Sequence, residues 1–413
     1  MEPIKKDAYA ALRMKDFLLF VCARFCITVA INMQAVIVGW QVYDITRDPL
    51  SLGLIGLAEA LPSIAVSLYA GHVADVVQRK KIILITAGTL VLCSLLLLSF
   101  TTALDSVIFS YGVVPIYAVI FLSGIARGFL TPAIFSYMPQ LVPRELYKNA
   151  ITWNSSFWQT AAIGGPAIGG FIYGFAGIEV AYSVDVLLTI LGLVLMAMVA
   201  YKPLPPSTEE QGTVEKIKAG LRFVFNNKII LGAISLDLFA VLFGGAVALL
   251  PIFASEVLHT GPEGLGLLRS APSIGALMVA FYIAHHPIVR NMGRKLLWCV
   301  AGFGLSMIAF ALSQNFWLSL LILMISGMFD GVSVIIRGTL LQTLTPENMK
   351  GRVSAVNNIF IGSSNEIGMF ESGLAARLLG LIPSVVFGGC MTLVIVAITA
   401  WNGKELRRLQ KVE

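Results

Sequence analysis

One feature governs what this chain can fold into: runs of the roughly 20 apolar residues that a helix needs to cross the hydrocarbon core of a bilayer recur from end to end. They lie near 16–43, 50–72, 82–102, 113–138, 150–174, 180–201, 229–255, 263–286, 295–313, 316–341, 353–376 and 382–401. Backbone groups in lipid have no water to bond, so such runs are helices, and they are too long for the strands of a barrel. Composition agrees. Of the 413 residues 57% are hydrophobic and 13% charged, and the mean hydropathy is +0.84, outside the balance of a soluble domain. The expected fold class is an all-α membrane protein with twelve transmembrane helices. The first run begins near Asp16 and is too long for a signal-peptide core, so it is read as a retained first helix. Cys22, Cys26, Cys93, Cys299 and Cys390 all fall in apolar runs, which favours packing over a disulfide framework or a zinc site.

The cations set the orientation. With the N-terminus in the cytoplasm, Lys and Arg crowd the cytoplasmic connections, Arg47 and Arg377 face outward, and Arg24, Arg127, Arg269 and Arg337 remain inside the membrane. Both termini are then cytoplasmic. The net charge of +6 is spread over several loops without a single patch, which excludes nucleic acid as the partner. The polar stretch from Lys202 to Asn227 opens with Pro203, Pro205 and Pro206, then turns helical, with Val214, Ile217, Leu221 and Val224 at helical spacing. It reads as a linker ending in an amphipathic helix at the cytoplasmic surface. The expected organisation is a six-helix bundle over 1–201, this linker over 202–227 and a second six-helix bundle over 228–413.

The halves share a faint repeat. Ser123-Gly124-Ile125-Ala126-Arg127-Gly128 in the fourth segment parallels Ser326-Gly327-Met328-Phe329-Asp330-Gly331 in the tenth. At the same offset Pro143, Asn154, Gly165 and Gly170 meet Pro346, Asn357, Gly368 and Gly373, and Pro62-Ser63-Ile64 parallels Pro272-Ser273-Ile274. Parallel repeats of this kind imply two pseudo-symmetric bundles.

Between the second and third segments, Gly71 to Lys81 reads Gly-His-Val-Ala-Asp-Val-Val-Gln-Arg-Lys-Lys. Taken alone it is a tight polar hairpin. It also resembles the signature loop of the major facilitator superfamily: Gly71, Asp75, Arg79, Lys80 and Lys81 match, while Val76 and Gln78 stand where a cation and a glycine are usual. The run Gly165-Pro166-Ala167-Ile168-Gly169-Gly170 looks like the end of the helix-5 motif of that superfamily, with Thr152 and Ala161 in place of its earlier glycines. Small residues let helix backbones approach, and proline lets a helix bend. The stretch from Ala126-Arg127-Gly128 through Thr131-Pro132, Pro143-Arg144-Glu145 and Asn154-Ser155 to Gly165-Pro166 is similar to the branch containing the bacterial enterobactin exporter and related efflux carriers.

The resemblance implies a monomeric secondary carrier of the bacterial inner membrane, multi-pass and without a cofactor. Such a carrier alternates access between its bundles and exports a small amphipathic or aromatic compound, of the drug or siderophore class, against proton entry. It also implies a cytoplasmic gate in which Gly71, Asp75, Arg79 and Lys80 engage the start of the eleventh segment at Arg352. A carboxylate there gains from the helix dipole and the guanidinium. The corresponding loop of the second half has Arg290 where Asp75 would fall, so the latch is expected to be one-sided.

Ionisable groups in lipid cost several kcal/mol and face a cavity or a partner. The candidates are Arg24, Glu59, Arg127, Asp185, Asp237, Arg269, Asp330, Arg337, Glu366 and Glu371. Under the repeat Arg24 aligns with Asp237, Glu59 with Arg269 and Arg127 with Asp330, each pair swapping sign. Two readings stand beside each other for these groups: ion pairs that fix helix packing, or parts of the transport machinery. Asp330 and Glu366 are the foremost proton-carrier candidates, because a carboxyl taken out of water can pass between charged and neutral forms. For the substrate cavity the candidates are Asn32, Gln34, Asn154, Gln159, Phe239, Asn357 and Asn358, any of which could instead link helices. His285 and His286 are adjacent, so their side chains diverge, and no metal site is expected.

Four rival functions stand beside a carrier, and of these a channel fits least, because the repeat and the helix count suit a rocker rather than a pore. A lipid or lysophospholipid flippase could use Arg24 and Arg127 to hold a phosphate. A polytopic membrane enzyme would need a motif such as His-Glu-x-x-His or Gly-x-Ser-x-Gly, and neither run occurs. ATP-driven pumping would need a phosphate-binding loop, whereas Gly403-Lys404 is followed by Glu405 and lacks the glycine five residues before it.

Overall fold

A computed structural model of the protein describes residues 7–203, 213–286, 291–346 and 349–407. Among them all regular structure is helical. The first half holds α1 (Lys15–Thr46), α2 (Pro49–Val76), α3 (Arg79–Ser99), α4 (Val114–Tyr137), α5 (Tyr147–Ala176) and α6 (Ile178–Met198). After them come α7 (Thr213–Asn226), α8 (Lys228–Gly244), α9 (Pro262–His285), α10 (Met292–Leu312), α11 (Phe316–Leu344), α12 (Lys350–Leu379) and α13 (Leu381–Asn402).

Ten helices among the described residues are long and apolar enough to cross a membrane. Helices α5 and α12, of 30 residues each, form where the fifth and eleventh segments are expected but fall outside that set. The reason is their polar content: Asn154, Ser155 and Gln159 on α5, and Asn357, Asn365 and Glu366 on α12. Two other segments differ from expectation. The polar hairpin at Gly71–Lys81 is shorter than its polarity suggests, because α2 runs to Val76 and α3 begins at Arg79. The seventh segment is broken: α8 stops at Gly244, and a 3-10 turn (Ala246–Leu249), a short turn (Leu250–Ile252) and a π-turn (Phe253–Val257) follow. Adjacent Gly244 and Gly245 and the missing amide of Pro251 explain the break. The freed carbonyl of Gly245 accepts a hydrogen bond from Ser372 Oγ of α12 at 2.9 Å, as an interrupted helix in a membrane requires.

The chain divides into two compact units, Met1–Ile37 with Leu61–Glu209, and Val38–Ala60 with Glu210–Glu413. The core of the first unit gathers Phe17 and Phe20 of α1, Ile83 of α3 and Tyr137 of α4. Helices α1 and α5 approach until Gly169 lies on Met33, where an added Cβ would stand 2.9 Å from the Met33 Cα. The second unit contains the C-terminal part of α1 and the N-terminal part of α2. Tyr43 donates to Glu256 in the π-turn, and Asp48 lies 3.6 Å from Arg377. Helix α7 packs Val224, fully buried, against Val353 and Val356 at the start of α12. The prolines at 205 and 206 and the side chains of Val214 and Ile217 lie outside the described residues.

Candidate functional site

Two buried charged side chains face each other from α8 and α11 of the second unit. Asp237 of α8 and Arg337 of α11 form an ion pair with both side chains nearly enclosed. Asp330 lies two turns before Arg337 on α11, and 7 residues bring a side chain back to the same helical face. Asp330 and Asp237 line one small cavity together with Cys299, Phe303, Phe329 and Ser333. Among the described residues no cation pairs with Asp330. Two carboxyl groups and one guanidinium therefore share this region, and the pair removes two of the three charges.

The first unit holds its charges differently. Arg24 of α1 donates to Asn154 Oδ1 of α5 at 2.5 Å, so two groups read separately from the sequence, one as a buried charge and one as a cavity amide, are bonded to each other. Gln34 is buried, and its amide donates to Asp185 of α6 at 3.1 Å, with Ser94 of α3 at 3.4 Å. Asn32 donates to the carbonyl of Thr28 in its own helix. The helix-5 motif residues Gly165, Pro166, Gly169 and Gly170 are buried in α5.

Of the gate residues, Arg79 donates to the Ser136 carbonyl at the end of α4, 3.1 Å away. Lys80 is enclosed. Its ammonium donates to the carbonyls of Ala197, at 2.8 Å, and Val199, and lies 4.2 Å from the centre of the Tyr201 ring. A cation on the last carbonyls of α6 satisfies acceptors that the helix cannot bond itself. Arg352 sits in the first turn of α12, with Nη1 at 3.7 Å from Met349 Sδ. Gly71 and Asp75 lie in the last turns of α2, and the side chains of Asp75 and Asn358 fall outside the described set.

The remaining candidates are distributed rather than gathered. Glu59 on α2, Arg127 on α4, Arg269 on α9 and Glu366 on α12 are half-buried. Gln159 on α5 is half-buried and Phe239 on α8 is 43% exposed. Asn357 on α12 buries an Oδ1 that has no hydrogen-bond partner. Sequence reasoning gave no role to Ser372, Glu256 and Tyr43. The Gly244-Gly245 pair was the available signal for Ser372, since a break in a membrane helix needs an outside donor.

The comparisons with known proteins agree with this architecture. The enterobactin exporter EntS of Citrobacter koseri is 24% identical over 390 residues, which cover 94% of this chain and 92% of the exporter. Its counterpart in Shigella boydii serotype 4 is 25% identical with the same coverage. Among solved structures, a POT family transporter in complex with 5-aminolevulinic acid aligns with a TM-score of 0.74 at 12% identity, over 95% of this chain and 96% of that one. A D-xylose-proton symporter aligns at 0.72 and 13% identity, over 94% and 97%. The family model of the Major Facilitator Superfamily matches residues 20–369, most of a chain built from long apolar helices in two units, and this protein is a member of that superfamily of transporters.

Proposed function

We propose that the protein is a proton-coupled exporter of a small amphipathic or aromatic compound of the drug or siderophore class, working by alternating access as a monomer in the bacterial inner membrane. The observation that carries the reading is the carboxyl of Asp330, which shares a cavity with Asp237, itself paired with Arg337, and has no cation of its own among the described residues. A carboxyl in that setting is a functional site by default, because an unpaired charge there is expensive. Asp330 is the proposed proton carrier, Asp237 and Arg337 its neighbouring pair, and Glu366 of α12 a second carboxyl candidate. Export and substrate class follow the enterobactin exporters, which match this chain over 92% of their own length.

In this reading twelve helices span the membrane with both termini cytoplasmic, in bundles over 1–201 and 228–413 joined by the 202–227 linker. Helices α5 and α12 are two of the spans, and their polar residues line a water-filled cavity, where such side chains are tolerated. Asp75 and Arg352 are the proposed cytoplasmic gate residues; Arg79 and Lys80, assigned to the same role, bond the carbonyls ending α4 and α6. Reconstitution into liposomes tests the function. Flux of a fluorescent amphipathic dye or of a siderophore is expected to follow an imposed pH gradient. Flux that ignores the gradient for every compound that crosses would overturn the proton-coupled reading.

A further inference from the structure

Asp185 of α6 is a carboxyl with no exposed surface, in the unit opposite to the one that holds Asp330. Three helices meet on it. Gln34 of α1 donates to Oδ2 at 3.1 Å, the Ser94 hydroxyl of α3 lies within 3.4 Å of the same Gln34 amide, and α6 supplies the backbone. Oδ1 is buried and has no hydrogen-bond partner. The titratable groups that face the site are Cys93 of α3, Tyr182 of α6 and, beside Tyr182, Tyr173 of α5; α1 faces it with the neutral Gln34 amide. Two cations of this unit are engaged elsewhere, Arg24 with Asn154 and Lys80 with the carbonyls ending α6. Among the described residues no cation pairs with Asp185.

An enclosed carboxylate without a counter-charge costs several kcal/mol, and the imbalance can be removed by a bound cation or by a proton. Gln34 and Ser94 provide few oxygens, whereas sodium-sized and larger cations take about six. We propose that Asp185 is a proton-binding site of the first unit, its carboxylate taking up one proton to become the neutral acid when α1 carries its amide donor away and giving it up when the donor returns. The link to α1 is geometric. Gln34 sits one residue beyond Met33, which is locked against Gly169 of α5, so a shift of α1 along α5 carries the amide away from Asp185. The transport use of this proton rests on the proton-coupled reading above; its presence does not.

Infrared difference spectra between alkaline and acid pH, recorded on the purified protein in lipid, read proton occupancy without transport. The wild type is expected to show a carboxylic-acid carbonyl band that is lost in D185N and retained in D330N. Replacing the donor, in Q34L, should shift that band rather than remove it. D185N keeps the shape of the side chain, and a cooperative melting transition checks that it is folded. An unchanged spectrum in folded D185N would overturn the proposal. So would a sodium-dependent rise in melting temperature that D185N loses, because it would assign the site to a metal cation. Absence of gradient-driven flux in the wild type with the Asp185 band intact would sink the transport reading and leave this site standing.

Discussion

The two units carry related sequences and treat buried charge in opposite ways. In the second, Asp237 and Arg337 neutralise one another. In the first, Arg24 holds the place of Asp237 under the internal repeat, yet its partner is the neutral amide oxygen of Asn154, so the guanidinium keeps its net charge. Packing is preserved where charge is not. Gly128 on α4 and Gly331 on α11 are repeat mates. An added Cβ would stand 3.0 Å from the Ser63 carbonyl of α2 in one case and 3.0 Å from the Ala276 Cα of α9 in the other. Close-packed helices tolerate little change of volume, while a buried ion can change partner or sign as long as something polar meets it.

Substitutions in each unit put this contrast at risk. The largest effect is expected from R337M, which strands Asp237 without a counter-charge. Loss of one member of a buried pair costs about 3–5 kcal/mol, read as a fall in unfolding free energy in mixed micelles, and adding D237N should return most of it. R24M leaves only a neutral amide behind, so its cost is that of one charged hydrogen bond, about 1.5–3 kcal/mol, and R24M is expected to be the milder variant in the same assay. If R24M proves as damaging as R337M, the first unit contains a counter-ion and the contrast fails. The smallest and most similar effects belong to G128A and G331A, each about 1–3 kcal/mol from overpacking. A large inequality between them would show that the repeat does not preserve packing at that position.

Much of the fold is legible in the sequence because it depends on run length. Helices such as α1, α4 and α11 begin and end within a few residues of their apolar runs. The break after Gly244 is not legible from hydropathy, since Leu249, Leu250, Ile252 and Phe253 continue the apolar character through the turns. Cations near the Gly71–Lys81 hairpin read as loop residues, yet Lys80 is helical and enclosed because its ammonium finds the carbonyls ending α6. The candidate site is legible as a set of charged residues and not as a set of pairs. Nothing local to Asp237 selects Arg337, 100 residues away, and nothing local to Gln34 selects Asp185. Those choices depend on which helix faces which, and a repeat alignment relates Arg24 to Asp237 without saying what either will touch.

If Asp330 carries the coupling proton, liposomes holding the wild type and D330N must differ in uphill transport. With a pH gradient imposed, the wild type should move its substrate against the substrate's own gradient. D330N should lose that uphill flux while still exchanging labelled for unlabelled substrate across the membrane when no gradient is applied, which shows that it is folded and inserted. Undiminished uphill flux in D330N would contradict the account.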